Sequence, residues 1–194
     1  MFATRCKHCK VKFTAEERGK RLHQECIDPW MAEFAEKQKR KAIAARTAEA
    51  KKERAETRQR KEALKRLPDY IKEAQIEFNK FCRERDRQAG WPCISSGRVL
   101  DWSGNGVDAG HYRSVGAAGH LRFDERNCHA QSKHDNQWKS GNVVEYRINL
   151  IKRIGLEAVV ALESDNTPRK WTREELIAIR DTYRAKLKQL KASE

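Results

Sequence analysis

The centre of the chain contains two short runs that are rich in histidine, asparagine and aspartate. The first is Val107-Asp-Ala-Gly-His-Tyr112, and the second is Asn127-Cys-His-Ala-Gln-Ser-Lys-His-Asp-Asn136. Val107 to Tyr112 and Leu121 to Phe123 have the composition of short strands, and a helix is predicted to begin after Gln131. The predicted order is therefore strand, loop, strand, helix.

These side chains suit the hydrolysis of a phosphodiester. That reaction requires a base to activate water and a divalent ion to take charge on the scissile phosphate. A histidine on a strand can be the base, and asparagine and carboxylate oxygens suit a hard ion such as Mg²⁺. The alternative is that a polar loop of this composition is a surface turn.

A long charged helix is predicted ahead of this region. Trp30 to Leu67 contains no Gly or Pro and consists mainly of Ala, Lys, Arg, Glu and Gln, which favour helices. Residues 30–66 hold 13 basic and six acidic side chains. Their net charge, 13 − 6 = +7, is half of the net charge of +14 of the whole chain. The segment either contacts DNA or another chain, or is a solvated helix or partly disordered linker.

An apolar stripe with helical spacing follows, and Gly90 and Pro92 end it. Packing within the chain is favoured over a dimer seam, because fewer than two heptads are present. The stripe consists of Leu64, Leu67, Ile71, Ala74, Phe78 and Phe81.

Two structural helices are predicted at the C-terminal side. The first runs from about Val143 to Glu163 and is interrupted at Gly155. The second opens at Thr172-Arg-Glu-Glu175, which has the pattern of a capping box.

The N-terminal segment has the ligand spacing of a zinc finger. Cys6-Lys-His-Cys9 and His23-Gln-Glu-Cys26 each separate two ligands by two residues, so that four side chains can surround one tetrahedral ion. The segment is too poor in apolar residues to fold without such help. His8 is an alternative ligand, and free thiols are the alternative to a metal site.

Composition narrows the possible partners and the compartment. The net charge of +14 favours a polyanion, and neither a run of about 18 apolar residues nor an amphipathic membrane face is present, so nucleic acid is preferred over membrane. The N-terminus lacks the apolar core of a secretory signal, which predicts a cytoplasmic protein. In a reducing compartment, the six cysteines are expected to be metal ligands or thiols.

Several runs resemble the NinG/Rap family of lambdoid-phage recombination endonucleases, and the resemblance covers essentially the whole chain. They are Phe81-Cys-Arg-Glu-Arg-Asp86, Asp108-Ala-Gly-His-Tyr-Arg113, Leu121-Arg-Phe123, Glu125-Arg-Asn127, Ser140-Gly-Asn-Val-Val-Glu-Tyr-Arg147, Ile154-Gly-Leu-Glu-Ala158 and Trp171-Thr172. The resemblance implies a phage-encoded, structure-specific endonuclease of the HNH type in the host cytoplasm. It implies cleavage of Holliday junctions and D-loops with a divalent metal, Mg²⁺ or Mn²⁺.

The resemblance also implies roles for individual residues. His111 is the general base, Asn127 orients the site and Asn136 lies on the metal side. Asp108 is a candidate second metal ligand, and His129 is a secondary candidate that can equally be packed against the hairpin.

One departure from the family concerns a second zinc site. The family usually carries two Cys-x-x-Cys pairs around the nuclease motif, whereas this chain has Cys93-Ile-Ser-Ser96 and Ser132-Lys-His-Asp135. Serine is a poor zinc ligand, so this zinc is predicted to be absent and Cys93 and Cys128 to be ordinary thiols. The alternative is a replacement ligand set of Cys93, Cys128, His134 and Asp135. Two explanations of the missing zinc are open: the packing of the core stabilises this region in place of the ion, or the site has lost its activity.

The sequence thus predicts an α+β chain with four regions. They are a zinc-finger-like module (1–29), a long charged helical region (30–89), an HNH-like ββα-metal nuclease core (90–142) and C-terminal helices (143–194). Arg113, Arg122, Arg126 and Lys139 are predicted to bind DNA phosphates. A homodimer with two active sites is expected, and host recombination proteins are possible partners. The rival prediction is a non-catalytic, zinc-containing DNA-binding accessory protein.

Overall fold

The computed structural model describes residues 1–16 and 19–192. The chain divides into two compact units, Met1–Leu64 and Lys65–Glu194. The division falls inside the predicted helical region 30–89, which consists of two helices, one in each unit. Within the described residues, no helix has the length and apolar character needed to span a membrane.

The first unit begins with a small hairpin and ends in a long helix. Strands β1 (Phe2–Arg5) and β2 (Lys12–Ala15) pair antiparallel, with Phe2 opposite Ala15. A 3₁₀ turn at Gln24–Cys26 leads into α1 (Ile27–Ala63). Cys6 and Cys9 lie in the turn of the hairpin, Cys26 lies in the 3₁₀ turn, and His23 directly precedes it.

Helix α1 confirms the predicted charged helix, with different ends. It starts before Trp30 because Pro29 is accommodated in the first turn, where its missing N–H is not needed. It stops at Ala63 rather than Leu67, and Pro68 lies in the first turn of the next helix. None of its residues is buried, so its stability within this unit rests on helix propensity and on pairs such as Arg40 with Glu36 at 3.2 Å.

Four helices enclose the core of the second unit. They are α2 (Leu67–Gln88), α3 (Val143–Ile154), α4 (Leu156–Ser164) and α5 (Arg173–Ala192). Ala74, Phe78 and Phe81 of α2 are buried with Leu176 and Tyr183 of α5, and the Phe78 and Tyr183 rings meet edge to face at 4.8 Å. The predicted packing of the apolar stripe within the chain is confirmed, although Leu64 and Leu67 are exposed.

A two-stranded antiparallel hairpin crosses this unit. Strand β3 (Val107–His111) confirms the first predicted strand, and β4 (Cys128–Ser132) pairs with it, with His111 opposite Cys128. The prediction of a strand at Leu121–Phe123 is wrong. Leu121 closes a 3₁₀ turn (Gly119–Leu121), and both apolar side chains enter the core from an irregular loop.

Two helix predictions also need correction. The helix expected after Gln131 is a single π-helical turn at His134–Trp138, and regular helix resumes at Val143. The predicted interruption at Gly155 is confirmed and is a complete break, because this residue takes a positive φ of +86° that ends α3 before α4 begins. Up to residue 192, the C-terminal side therefore contains three helices rather than the two predicted.

The capping box of the last helix is confirmed. The backbone N–H of Glu175 donates to Thr172 Oγ1 at 3.2 Å, and the backbone N–H of Thr172 donates to Glu175 Oε2 at 2.9 Å. We expect Thr172→Ala to lower the free energy of unfolding by about 1 kcal/mol, because it leaves a helix N-terminal donor without its acceptor. Thermal unfolding of this variant and of Thr57→Ala, which lies inside α1, checks the effect.

Candidate functional site

The four predicted finger ligands meet at one point in the first unit. The sulfur atoms of Cys6, Cys9 and Cys26 and a ring nitrogen of His23 all lie within 4.8 Å of one another. His23 Nδ1 is 3.3 Å from Cys9 Sγ and 3.8 Å from Cys26 Sγ. Three sulfurs and one imidazole form a donor set that zinc binds tetrahedrally, so this cluster could bind zinc.

The local backbone explains the position of the first two sulfurs. The N–H of Cys6 donates to the carbonyl of Val11 at 2.9 Å, and the N–H of Lys10 donates to the carbonyl of Cys6 at 3.1 Å. Lys10 has a φ of +65°, which closes the turn tightly. Both thiols of the turn therefore face the same point.

The thiols of this cluster interact strongly. Burial opposes ionisation of Cys6, but hydrogen bonds from the backbone of His23, Cys9 and His8, and from the Cys9 side chain, lower its pKa to about 6. Burial and the neighbouring Cys6 and Cys9 sulfurs raise the pKa of Cys26 to about 11. Several thiolates this close together repel one another unless a cation lies between them.

His8 lies outside the cluster. Its Nε2 faces Glu33 Oε1 at 3.3 Å. Of the two candidate histidines, His23 is therefore the one positioned as a ligand.

In the second unit, the structure brings Asp108 and Asn136 together. Asn136 Nδ2 donates to Asp108 Oδ2 at 2.9 Å, and Gln137 Nε2 donates to the same oxygen at 3.0 Å. Asp108 comes from β3, whereas Asn136 and Gln137 come from the π-helical turn. Gln137 was missed by the sequence analysis, because its role depends on that turn.

His111 is not part of this pair. Its Nε2–H donates to the carbonyl of Arg122 at 3.0 Å, and its ring lies 6.0 Å from that of Phe78. Burial lowers the pKa of His111, so the imidazole is neutral at neutral pH. Side chains alternate along a strand, so His111 and Asp108, three residues apart, leave opposite faces of β3. In the part of the chain that the structure describes, no hydrogen bond joins His111 to Asp108 or Asn136.

Asn127 is completely buried and braces the loop between the strands. Its Oδ1 accepts from the N–H of Arg113 at 2.8 Å, and its Nδ2 donates to the carbonyl oxygens of Arg113 and Leu121 at 3.0 and 3.2 Å. All of these partners are backbone groups. Asn127 therefore fixes the chain that follows His111.

His129 belongs to a buried ion network. Its Nδ1 lies 3.6 Å from Asp86 Oδ2 and 3.1 Å from the Arg85 guanidinium, and its relative exposure is 4%. Burial lowers the pKa of His129 despite the neighbouring carboxylate. The structure places this histidine in the packing of the hairpin against α2.

Asp86 is the centre of that network. Its carboxylate accepts from Arg85 Nε at 2.8 Å, from the N–H of Ala130 at 2.7 Å and from Arg153 at 3.4 Å. Arg85 also donates to the carbonyl of Cys128 at 2.9 Å. The network joins α2, α3 and β4. The sequence signal was an aspartate on the apolar stripe, four residues after Cys82 and eight after Phe78.

The predicted DNA-binding residues have different surroundings. Arg113 donates to Leu162 at 2.8 Å and to Asn166 at 2.8 Å, which ties it to the end of α4. Arg122 donates to Gln75 at 3.2 Å.

Arg126 pairs with Asp124 at 2.6 Å, and Lys139 lies 3.5 Å from Asp135. Arg126 and Lys139 keep more than half of their side chains exposed and are the two best able to reach a phosphate.

The residues at the predicted lost zinc site lie together. The turn at Cys93 repeats the backbone of the Cys6 turn, with Cys93 N–H donating to Arg98 at 2.9 Å, Gly97 N–H donating to Cys93 at 2.9 Å and a φ of +67° at Gly97. Asp135 Oδ2 accepts from Ser132 Oγ at 2.7 Å and from Cys93 Sγ at 3.5 Å. A hydrogen-bonded carboxylate thus joins the two turns.

The alternative ligand set at this site is not assembled. Cys128 is buried with Phe78 and Cys82, in a different core cluster from Cys93. Over residues 1–16 and 19–192, the N-terminal Cys and His cluster is the one group of three or more Cys, His, Asp or Glu side chains arranged to hold a metal.

Together, the fold and the sites define a class: a protein with an N-terminal Cys₃His cluster that could hold zinc and a basic helix, followed by a mixed helical unit around a small hairpin. The chain belongs to the family described as Bacteriophage Lambda NinG protein, whose model matches residues 2–194. It is 52% identical over 136 residues to Protein ninG of Salmonella phage P22, covering 69% of this chain and 64% of that protein.

A second relative, Protein ninG of Escherichia phage lambda, is 51% identical over 136 residues, covering 69% of this chain and 63% of that protein. The matched region therefore spans less than two thirds of either relative. No solved structure matches the chain significantly.

Proposed function

We propose that the chain is a metal-dependent endonuclease of the HNH type that cleaves branched recombination intermediates such as Holliday junctions and D-loops. The observation that carries the proposal is the pairing of Asp108 with Asn136 at 2.9 Å. Two oxygen-bearing side chains, from β3 and from the π-helical turn, meet there at a partly exposed surface. Membership of the NinG family and the large positive charge support DNA as the substrate.

The donor set of this pair fits a hard divalent ion. Mg²⁺ or Mn²⁺ would be held by a carboxylate oxygen of Asp108 and the amide oxygen of Asn136, with water completing the shell. When bound, such an ion supplies positive charge to the scissile phosphate and leaving oxygen. Gln137 holds the Asp108 carboxylate in place by its hydrogen bond at 3.0 Å.

His111 is proposed as the base. Burial lowers the pKa of His111, which favours the neutral base. Because Nε2–H donates to the carbonyl of Arg122, Nδ1 is the nitrogen with the lone pair, and the backbone of Ala109 also lies within hydrogen-bonding reach of the ring. Asn127 holds the following chain, and Arg126 and Lys139 are proposed to contact phosphates. His111 and Asp108 leave opposite faces of β3, so their joint action on one phosphate requires one of them to move when DNA binds.

The separation of His111 from Asp108 favours a second candidate function, a non-catalytic DNA-binding accessory protein with a zinc finger. Asn127 and His129 make buried structural contacts, and His111 is already bonded to a backbone carbonyl. An accessory protein would bind branched DNA with the same salt dependence but would not cut it. A homodimer, with each copy facing one strand of a junction, belongs to the first proposal.

A cleavage assay separates the two functions. Zinc-loaded protein is incubated with labelled four-way junction, D-loop and linear duplex, with Mg²⁺, with Ca²⁺ and without a divalent ion. We expect Asp108→Ala and His111→Ala each to lower the cleavage rate by roughly 100-fold or more, because each removes a group that acts on the reacting phosphate. Junction binding should stay within about threefold, since most affinity comes from phosphate contacts elsewhere.

The matched control is Asp181→Ala, which removes an exposed aspartate from α5 and should cut like the original protein. Metal-dependent cutting that survives Asp108→Ala would contradict the proposed ligand. Tight junction binding with no cutting under any metal would support the accessory protein instead.

A further inference from the structure

The second unit contains a cavity that the proposed site does not use. Its volume is about 290 Å³. Helix α2 supplies three of its basic side chains, α5 supplies a fourth, and the turn before β3 closes it with a tryptophan and an asparagine. This cationic cavity is defined by Lys80, Arg83, Arg87, Lys191, Trp102 and Asn105.

The lining side chains carry an excess of three positive charges, and one of them, Lys80, also pairs with Glu77 outside the lining at 3.1 Å. Glu84 is the acidic residue in the lining, and the Arg87 guanidinium already engages it at 2.7 and 3.2 Å. Arg83 makes a long contact of 3.5 Å to the carbonyl of Val107 and, among the described residues, no ion pair. Like charges held this close favour an anion that neutralises them.

Trp102 gives the cavity an aromatic wall. The ring packs on a buried cluster that includes Leu100 and Val107, and it is itself only partly buried. No hydrogen bond within residues 1–16 and 19–192 uses the indole N–H of Trp102 or the amide of Asn105. An aromatic face beside several cations is the combination with which proteins bind single-stranded nucleic acid.

The size of the cavity selects among nucleic acids. Its volume is close to the lower limit of roughly 300–1,000 Å³ found for small-ligand sites. It can therefore accept a single nucleotide, whereas a base-paired duplex is too wide to enter.

Backbone contacts connect the cavity to the elements of the proposed cleavage site. Gly106, which follows Asn105, accepts a hydrogen bond from the N–H of Lys133 at 2.8 Å, and Lys133 directly precedes the π-helical turn that carries Asn136. On the other side, Val107 lines the cavity and is followed by Asp108. The turn that lines the cavity and the elements that carry the Asp108–Asn136 pair are thus joined through the backbone, while Val107 and Asp108 leave opposite faces of β3.

We propose that the cationic cavity binds one unpaired nucleotide of a DNA strand, with the base on Trp102 and the phosphate among Arg83, Lys80 and Lys191. The inference rests on the proposed function, because it supplies the reason for preferring DNA with an unpaired segment at a branch. A D-loop offers such a segment and a linear duplex does not.

Equilibrium binding tests the cavity without relying on cleavage. Labelled single-stranded oligothymidine and a linear duplex are titrated with the full chain without a divalent ion, and anisotropy is followed at several salt concentrations. The variants are Lys80→Gln/Lys191→Gln and Trp102→Ala. The matched control is Lys72→Gln/Lys188→Gln, which removes two lysines from the same two helices outside the cavity lining.

We expect both cavity variants to weaken single-strand binding by about tenfold or more and duplex binding by less than about threefold. The double lysine variant should also lower the salt slope for the single strand by about 0.7, because the cavity holds one phosphate. Equal losses in the cavity and control variants, or equal losses for both DNA forms, would overturn the proposal. Trp102→Phe keeps an aromatic wall and should bind nearly normally, which separates lost stacking from misfolding of Trp102→Ala.

Failure of the cavity and failure of the nuclease give different results. Cavity-dependent single-strand binding by a protein that cuts nothing supports the cavity and contradicts the nuclease. If the protein cuts DNA and its cavity variants bind like the control, the result supports the nuclease and contradicts the cavity.

Discussion

Asp86→Ala is expected to lower the free energy of unfolding of the second unit by about 3–5 kcal/mol. The side chain is 1% exposed, and its removal leaves Arg85, Arg153 and the N–H of Ala130 without their shared acceptor in the core. Urea denaturation, followed by a signal from the second unit, measures the loss. Asp181→Ala, at an exposed position on α5, should change stability by less than about 0.5 kcal/mol.

The same carboxylate makes stability depend on acid. Burial alone would raise the pKa of Asp86, but His129 and Arg85 lower it to about 2, below its unfolded value of 3.8. Its contribution is therefore complete above pH 3.8 and is lost as the pH falls through about 2. Asp86→Asn should abolish this part of the acid transition, and an unchanged acid profile would contradict the network.

We predict that the N-terminal Cys₃His cluster holds one zinc ion, and that removal of this ion unfolds the hairpin β1–β2 while the second unit stays folded. Metal binding contributes roughly 10–16 kcal/mol in small zinc modules, and this one has little apolar core to replace it. Native mass spectrometry should find one zinc per chain, and Cys9→Ser or Cys26→Ser should lose it. Hydrogen exchange should then become fast in the hairpin β1–β2.

Cys82→Ala is the control for the loss of a cysteine. Cys82 is fully buried in the second unit, so its replacement should cost stability there but leave the zinc content unchanged. Slow exchange of β1 and β2 after complete zinc removal would show that the module folds without metal.

Local sequence signals predicted the parts of the fold that depend on neighbouring residues. The capping box at Thr172, strand β3 and the stripe of α2 each follow from spacing within a few residues. The finger ligands could also be predicted from the sequence, because two Cys or His pairs at short spacing bring their donors together by turn geometry alone.

Features that depend on distant partners were missed. Four of the five residues of β4 are buried, so the strand lacks the alternation that identifies one, and it depends on β3 and on the Asp86 carboxylate 44 residues away from Ala130. The Asp108–Asn136 pair joins residues 28 apart and needs the π-helical turn to do so. Both residues were predicted from the sequence as site residues, but their contact with each other was not.

The carboxylate bridge between the turns at Cys93 and Ser132 has a consequence for zinc supply. Asp135 accepts hydrogen bonds from Ser132 and Cys93 there. These hydrogen bonds hold the two turns together without a zinc ion. On the prediction that the N-terminal cluster holds zinc, chains made in a zinc-starved cell would lack a folded N-terminal module and would still fold the second unit. Such chains would separate the contribution of the N-terminal module from the rest of the molecule without any mutation.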